Sequence, residues 1–506
     1  MEGAILALAA VVSARVLLTP AARRELGSRP MLAMLSAVLA LVALGGAAWV
    51  ASQVPLARRA MGGGVAVILA ASFVRARPGF GARRGLPPGS LGLRESLEAI
   101  DDAEYYSRTS DRLGPIFKMS QIHQPVACIT DLETGFTLFR EQEHRLRQSD
   151  WAFNRLVPGG YLEYMDGEPH ARLRGLLAPG FTPEAAEAAD SAIAEVARAQ
   201  LAEMADAASD GGVHPEEYLL PIAHAGLIRA VLGVSPGHPE YEALRERFTE
   251  LNRPLDLFLP IPRASREAFD GLARTVSRLA AAAARREDRH DDESEGIASP
   301  SVLARVASDN PDLADDASAI GTLVLMVKEG GIMTRGMLRW VIKMLADHPE
   351  QAERLRQVAA DPSELDGRAE AFALEAIRRF ESPYLYRRVA EDVEVGGFRI
   401  PRGWLVRLCL AEAHARPEVF SDPQRFDPGR FERSDHAESF CPFGAGSRVC
   451  PGRDVALEVA KVTAREAAVG YDLRTVSDGP AWRINRHWGL WRPSLRLMVS
   501  LNRRPG

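Results

Sequence analysis

At 506 residues, with 46% apolar and 25% charged side chains, the chain is long enough for one large folded domain with accessories and lacks the composition of a disordered protein. A formal net charge of -5 gives no electrostatic case for nucleic-acid binding. Four cysteines, at 128, 409, 441 and 450 with no C-x-x-C pair, exclude a disulfide framework and argue against a structural zinc site.

In chain order, residues 1–74 read as a membrane-anchor region. Pro30 to Ala57 carries no charge, and its main span, about residues 31–54, exceeds the ~20 residues that cross a hydrocarbon core. Two weaker apolar stretches flank it, Ala4 to Leu18 (interrupted by Arg15) and Gly62 to Val74, so the expectation is one to three transmembrane helices. "MEG" lacks the basic start of a cleaved signal peptide. A buried core helix is the bland alternative for the main run. If all three stretches cross, the arginines at 23, 24 and 29 share a side with those at 75, 77, 83 and 84, which the positive-inside rule makes cytoplasmic. The expected location is therefore a lipid bilayer with the remaining chain in the cytoplasm. A bacterial inner membrane is favoured by the alanine- and arginine-rich composition, with the endoplasmic reticulum as the eukaryotic equivalent.

Residues 75–93 ("RARPGFGARRGLPPGSLGL") read as a basic Pro/Gly linker that cannot continue a helix. From 94 to 506 helical spacing dominates, as in 183–207 and 265–287. Strand-like pieces occur near 115–130, at 391–400 and in the last thirty residues. The fold class expected is mainly α with small β-sheets. The longest apolar helix, about Ala317 to Ala346, contains Lys328, Glu329, Arg335, Arg339 and Lys343. Those charges argue against a second membrane anchor and for a helix through the domain centre.

Near the C-terminus stands "FCPFGAGSRVCPGRD", Phe440 to Asp454. Gly444 and Gly446 permit a tight turn, Arg448 adds positive charge, and Gly452 lets the next segment leave as a helix whose positive end is close to Cys450. Amide donors, a cation and a helix N-terminus all favour a thiolate. With no histidine in the turn, the thiolate suits a metal better than acyl transfer. A lone cysteine is usually a small buried hydrophobe, and that is the reading for Cys128 and Cys409; Cys441 is a bystander.

"FGAGSRVCPG" resembles the haem-binding signature of the cytochrome P-450 family, F-G-x-G-x-R-x-C-x-G, with Phe443, Gly444, Gly446, Arg448, Cys450 and Gly452 in register. The resemblance implies the cytochrome P-450 fold, haem b (iron protoporphyrin IX) with the Cys450 thiolate as axial metal ligand, Phe443 on the proximal side and Arg448 on a propionate. "EAIRRF" matches the family's helix pair through Glu375 and Arg378, and "DPQRFDPGRF" its P-E-R-F element, with Gly429 where glutamate is common. Arg430 would complete a buried Glu375–Arg378–Arg430 network. Arg388 matches an arginine that reaches a propionate. "DGEPHARLRGLLAPGF" resembles the C helix, placing His170 and Arg174 for the propionates. "LADHPE" resembles the junction after the long central helix. The resemblance covers about residues 86–506.

The central helix departs from the family's A-G-x-(D/E)-T motif. "EGGIMT" puts Ile332 at the acid position and Met333 at the alcohol position, and neither can relay a proton. Thr334 lies one residue late, turned about 100° away. Glu329, one turn before Met333, can approach the same face, so water, Glu329 or a substrate hydroxyl would supply protons. Gly330 and Gly331 imply a bend, a close approach to haem or substrate, or helix packing alone.

The leading expectation is an anchored monooxygenase that inserts oxygen into an apolar small molecule such as a lipid, terpenoid or polyketide of secondary metabolism. Because no reductase sequence follows the haem region, a separate donor is expected, a ferredoxin and its reductase if bacterial. The alternative is haem chemistry for oxidative coupling, desaturation, rearrangement or peroxide-driven reaction. A non-catalytic haem-binding or sensing protein is the third.

Overall fold

The computed structural model describes residues 85–504, apart from 103, 122–123, 149–151, 209–210, 252–260, 286–297, 382–383, 434–438, 445, 480 and 482–491, and before them only Ala70 and Val74. The expected membrane spans lie outside the described residues, apart from Ala70 and Val74 of the third stretch. The chain divides into two compact units.

The smaller unit comprises the chain up to Leu146, Tyr384–Ala413 and Gly479–Leu495. Helices α1 (Leu93–Asp101) and α2 (Tyr105–Leu113) precede strands β1 (Ile116–Gln121) and β2 (Gln124–Ile129), and α3 (Leu132–Glu141) follows. Asp131 starts α3 by accepting the Thr134 N–H at 2.8 Å. β1 and β2 run antiparallel, pairing Ile116 with Ile129 and Gln121 with Gln124. Strand β3 (Tyr384–Val389) leads to a hairpin of β4 (Val393–Val395) and β5 (Phe398–Ile400), then to β6 (Leu405–Cys409). The hairpin turns on Gly396 and Gly397, both left-handed at φ 55° and 77°. β6 pairs parallel with β2 and antiparallel with β3. Alternation buries Tyr106, Phe117, Met119, Cys128 and Cys409 in one cluster. Cys128 and Cys409 thus serve as small core residues.

The described part of the expected linker is laid against this sheet rather than free. The Lys118 N–H donates to the Pro88 carbonyl at 2.7 Å, and a Cβ on Gly89 (φ +117°) would stand 2.2 Å from the Lys118 carbonyl oxygen. Only glycine permits that approach.

The larger unit comprises Arg147–Pro383, His414–Asp478 and Arg496–Gly506. Its helices are α4 (Gly167–Leu177), α5 (Pro183–Glu187), α6 (Asp190–Ala207), α7 (Glu216–Leu232), α8 (Tyr241–Leu251), α9 (Arg263–Ala284) and α10 (Val302–Asp309). After them come α11 (Ala317–Asp347), α12 (Pro349–Gln357), α13 (Pro362–Ala376), α14 (Gly429–Arg433) and α15 (Arg453–Gly470). Strands β7 (Tyr471–Ser477) and β8 (Met498–Arg503) form an antiparallel pair. The alanine-rich stretch 183–207, expected to be helical, forms two helices. Asp190 takes the first turn of α6, where a carboxylate is favoured, and binds Arg465 at 2.9 Å.

Helix α11 runs unbroken for 31 residues. Asp316 caps it, accepting from Ser318 and Ala319 N–H at 3.0 Å each, and Pro349 follows its end. It packs against α7, α9, α13 and α15. Trp340 stacks on Phe380 with ring centroids 3.9 Å apart. Among the described residues it is the one helix long and apolar enough to cross a membrane, and 61% of its most apolar window is buried in protein. It is a core helix.

Candidate active site

The cysteine turn is built as its glycines require. Gly444 and Gly446 are left-handed, at φ 78° and 67°, and a short 3-10 turn, Gly446–Arg448, leads to Cys450. The Cys450 N–H donates to the Phe443 carbonyl at 2.8 Å, and α15 begins at Arg453, one residue past Gly452. Cys450 is exposed to solvent, yet burial is the largest influence on its thiol and pushes its pKa up. Both hold for a side chain lining a recess within the protein. The Gly452 amide and the Arg174 guanidinium pull the other way, and Glu163 and Asp454 reinforce the upward shift. The sequence led us to expect a stabilised thiolate with Arg448 as its cation. In the structure desolvation outweighs the donors, and the acting cation is Arg174.

Arg174 and His170 stand on α4, with His170 buried. Arg174 donates to the Val449 carbonyl at 2.7 Å, next to Cys450. Arg448 instead reaches the Met165 carbonyl at 2.7 Å and Asp166 at 3.0 Å, a partner the sequence did not reveal. Arg388 stands on β3 of the smaller unit, donating to the Gly403 carbonyl at 3.5 Å. Phe443 is half-buried in the turn.

Behind the turn lies a fully buried ion network. Glu375 meets Arg378 through two bonds, 2.7 and 2.9 Å, and Arg430 Nε at 3.1 Å. The rest of each guanidinium is satisfied by backbone: Arg378 by His414 and Pro423, Arg430 by Ser421, Asp422 and Arg425. A short π-helical stretch, Ile377–Glu381, carries Arg378 off the end of α13. The three residues paired by sequence are together in space.

On α11, Met333 is 50% exposed in the middle of an otherwise buried helix. Met326, Glu329, Gly330 and Ile332 are partly accessible, so they and Met333 form a stripe at helical spacing. Thr334 is not on it: its side chain is buried and its hydroxyl has no hydrogen-bond partner among the described residues. Gly330 and Gly331 are explained by packing. A Cβ on Gly330 would meet Leu227 at 3.0 Å, and one on Gly331 would meet His224 at 2.9 Å, both on α7. The helix is unbroken through both. Glu329 Oε1 accepts from buried Lys328 Nζ at 2.8 Å. The sequence showed Lys328 as an odd charge in an apolar helix without revealing what it holds. Tyr161 joins the two sides. Burial pushes its hydroxyl well up, and Glu163, Glu329, Tyr164 and Cys450 add to the effect. One hydroxyl therefore lies within electrostatic reach of both the stripe and the cysteine.

The family model for cytochrome P450 matches residues 370–499, which contain the buried network and the cysteine turn. That stretch of the chain belongs to the cytochrome P450 family. Abscisic acid 8'-hydroxylase 3 of Oryza sativa subsp. indica is 25% identical over 418 residues, 76% of this chain and 81% of that protein. Ent-kaurenoic acid oxidase 1 of Arabidopsis thaliana is 32% identical over 179 residues, 31% of this chain and 36% of that protein. Among solved structures, a retinoic acid bound cyanobacterial CYP120A1 superposes with a TM-score of 0.62 at 21% identity, over 83% of this chain and all of that one, which shows the shared fold.

The P450 is thus a haem-thiolate oxidoreductase, and its cofactor is haem b held by a cysteine thiolate, for which Cys450 is the candidate. The donor set fits that group: an accessible soft sulfur ligand with the Arg174 cation beside it. Among the described residues no cluster of three or more His, Cys, Asp or Glu could hold a second metal.

Proposed function

We propose that this P450 is a monooxygenase of an apolar small molecule, in which Glu329 replaces the missing acid–alcohol pair. Overall, substrate R–H, dioxygen, two electrons and two protons give R–OH and water. Bound haem supplies the iron at which dioxygen is reduced and cleaved. The protein's share is to hold the sulfur, seat the substrate and deliver protons. The accessible stripe of Met326, Ile332 and Met333 on a buried helix carries this reading: it offers an apolar wall with one carboxylate set into it. Lys328 holds Glu329 Oε1, which leaves Oε2 to take and pass a proton. His170, Arg174, Arg448 and Arg388 are proposed partners of the haem propionates.

A lipid, terpenoid or polyketide substrate suits such a wall. Terpenoid acids come first for testing, because the similar proteins are named for abscisic acid, ent-kaurenoic acid and retinoic acid. Electrons would come from a separate donor, with a ferredoxin system the first candidate. The uncharged run at 31–54 supports anchoring in a bilayer. Ile332 and Met333, at the positions of the acid and the alcohol, favour a second reading: coupling, desaturation or rearrangement, for which proton delivery matters less.

Membranes carrying the P450, a reducing ferredoxin system and a panel of terpenoid acids would be supplied with ¹⁸O₂. A product that gains one labelled oxygen supports the first reading. A product that loses hydrogen or rearranges without label supports the second.

A further inference from the structure

We infer that His414 is a positioning residue, tying the buried Glu375–Arg378 pair to the turn that carries Cys450. The inference rests on Cys450 as the haem ligand and adds a residue outside the haem signature and the ion network. Four bonds, all within the larger unit, make the link. Arg378 Nη1 donates to the His414 carbonyl at 2.9 Å. The His414 ring, fully buried, accepts the Cys441 N–H on Nε2 at 3.4 Å. The Cys441 carbonyl accepts the Gly444 N–H at 3.0 Å, which pins the left-handed glycine of the turn. Phe443, next in the chain, accepts the Cys450 N–H at 2.8 Å.

The imidazole suits the task. With Nε2 accepting, the proton of the neutral ring is on Nδ1. The Ser439 carbonyl also bonds the ring, so one side chain holds residues 439 and 441. Burial, with Arg378 nearby, pushes the ring's pKa down to about 3, so Nε2 stays an acceptor at neutral pH. Phe420 and Phe440 fix the ring plane, with centroids 5.7 and 5.5 Å away. Cys441 offers Nε2 a second, weaker donor: its thiol, 3.7 Å away, is pushed up to about 12 by burial and keeps its proton.

The rival view is that His414 only fills space beside Phe420. His414→Phe fills the same volume and keeps the ring contacts but cannot accept a hydrogen bond. His414→Gln can place an amide oxygen near the Nε2 position, whereas His414→Asn is too short to reach it. Each full-length protein would be prepared with haem, and the ferrous-CO spectrum would be followed for thiolate ligation alongside haem dissociation. Partners that orient a metal ligand typically change affinity by about 10–100-fold. His414→Phe and His414→Asn should lose haem faster by that factor and shift the spectrum away from thiolate ligation, and His414→Gln should recover most of both. Amide exchange at Cys441 and Cys450 should quicken in the first two variants only.

A folded His414→Phe with native spectrum, haem retention and exchange would overturn the inference. So would a folded His414→Gln that fails as His414→Asn does. If His414→Phe does not fold, the Gln and Asn pair decides. A native protein without a thiolate spectrum would instead overturn the Cys450 assignment on which the inference rests.

Discussion

Replacing Glu375 tests whether the network behind the turn is a stability element. Its carboxylate is fully buried between Arg378 and Arg430, whose side chains are 1% and 4% exposed. In Glu375→Ala both cations stay in place. Arg378 keeps its bonds to His414 and Pro423, Arg430 keeps its carbonyl partners, and the Asp427 N–H, now 3.0 Å from Glu375 Oε1, loses its acceptor. Removing one partner of a buried pair costs about 3–5 kcal/mol, and an orphaned buried amide about 1–3 more. The expected loss is about 4–8 kcal/mol, a large fraction of the ~5–15 kcal/mol that stabilises an ordinary domain. Glu375→Gln keeps the volume and should still cost most of this, because the missing charge dominates. Denaturant midpoints at neutral pH measure both, with Glu98→Ala as control. Glu98 pairs with Arg94 at 2.8 Å, but their side chains are 47% and 85% exposed, so that loss should stay below about 0.5 kcal/mol. A Glu375→Ala loss below about 1 kcal/mol would show that the charges are screened or rearrange, and the burial reasoning would fail.

Glu329→Gln should lower turnover by about 100-fold or more with substrate binding unchanged, as expected when a general acid is lost; unchanged turnover would remove Glu329 from the proton path. His224, which packs on Phe248 and is held down to about 3 by burial with Arg335 and Arg245 nearby, is neutral when folded and charges on unfolding below its ordinary 6.5. The unfolded chain therefore binds the extra proton between those values, so stability falls as pH drops through that window, by about 2 kcal/mol at pH 5 for this group. His224→Leu should flatten the slope by about one proton in unfolding titrations, and an unaltered slope would mean the ring is charged or solvated in the fold. Gly331→Ala should destabilise by about 1–2 kcal/mol, since the clash with His224 exceeds the gain in helix propensity. Gly367→Ala, inside α13 with nothing within 4 Å, should stabilise by about 0.5–1 kcal/mol. Equal effects from the two alanines in thermal unfolding would contradict the packing assigned to Gly331.

The sequence was most informative where local chemistry leaves few options. Two left-handed glycines before Cys450 and a helix starting just past Gly452 were readable because glycine freedom and helix geometry impose them. The pairing of Glu375 with Arg378 follows from helical spacing, but their joint meeting with Arg430 came from the family resemblance, since no local rule joins such distant residues. The central helix was legible from its unbroken apolar pattern. The reason for Gly330 and Gly331 was not, because what lies over them is His224 and Leu227 of a helix about a hundred residues earlier. The cation nearest in effect to Cys450 was not legible for a related reason: Arg448 is visible in the turn, whereas Arg174 comes from a distant helix, and desolvation depends on everything packed around the side chain. His414 was missed because "AEAHARPEV" shows only a histidine, and its role depends on an arginine and a cysteine amide that folding brings to it.

The central claim is that Cys450 holds the haem iron through sulfur. Cys450→Ser, purified with haem and reduced under carbon monoxide beside the native protein, tests it most directly. The native protein should show the thiolate-ligated ferrous-CO band, and the serine variant should lose it while its far-ultraviolet circular dichroism stays native. A serine variant that keeps the thiolate band would show that another residue is the ligand and would contradict the assignment.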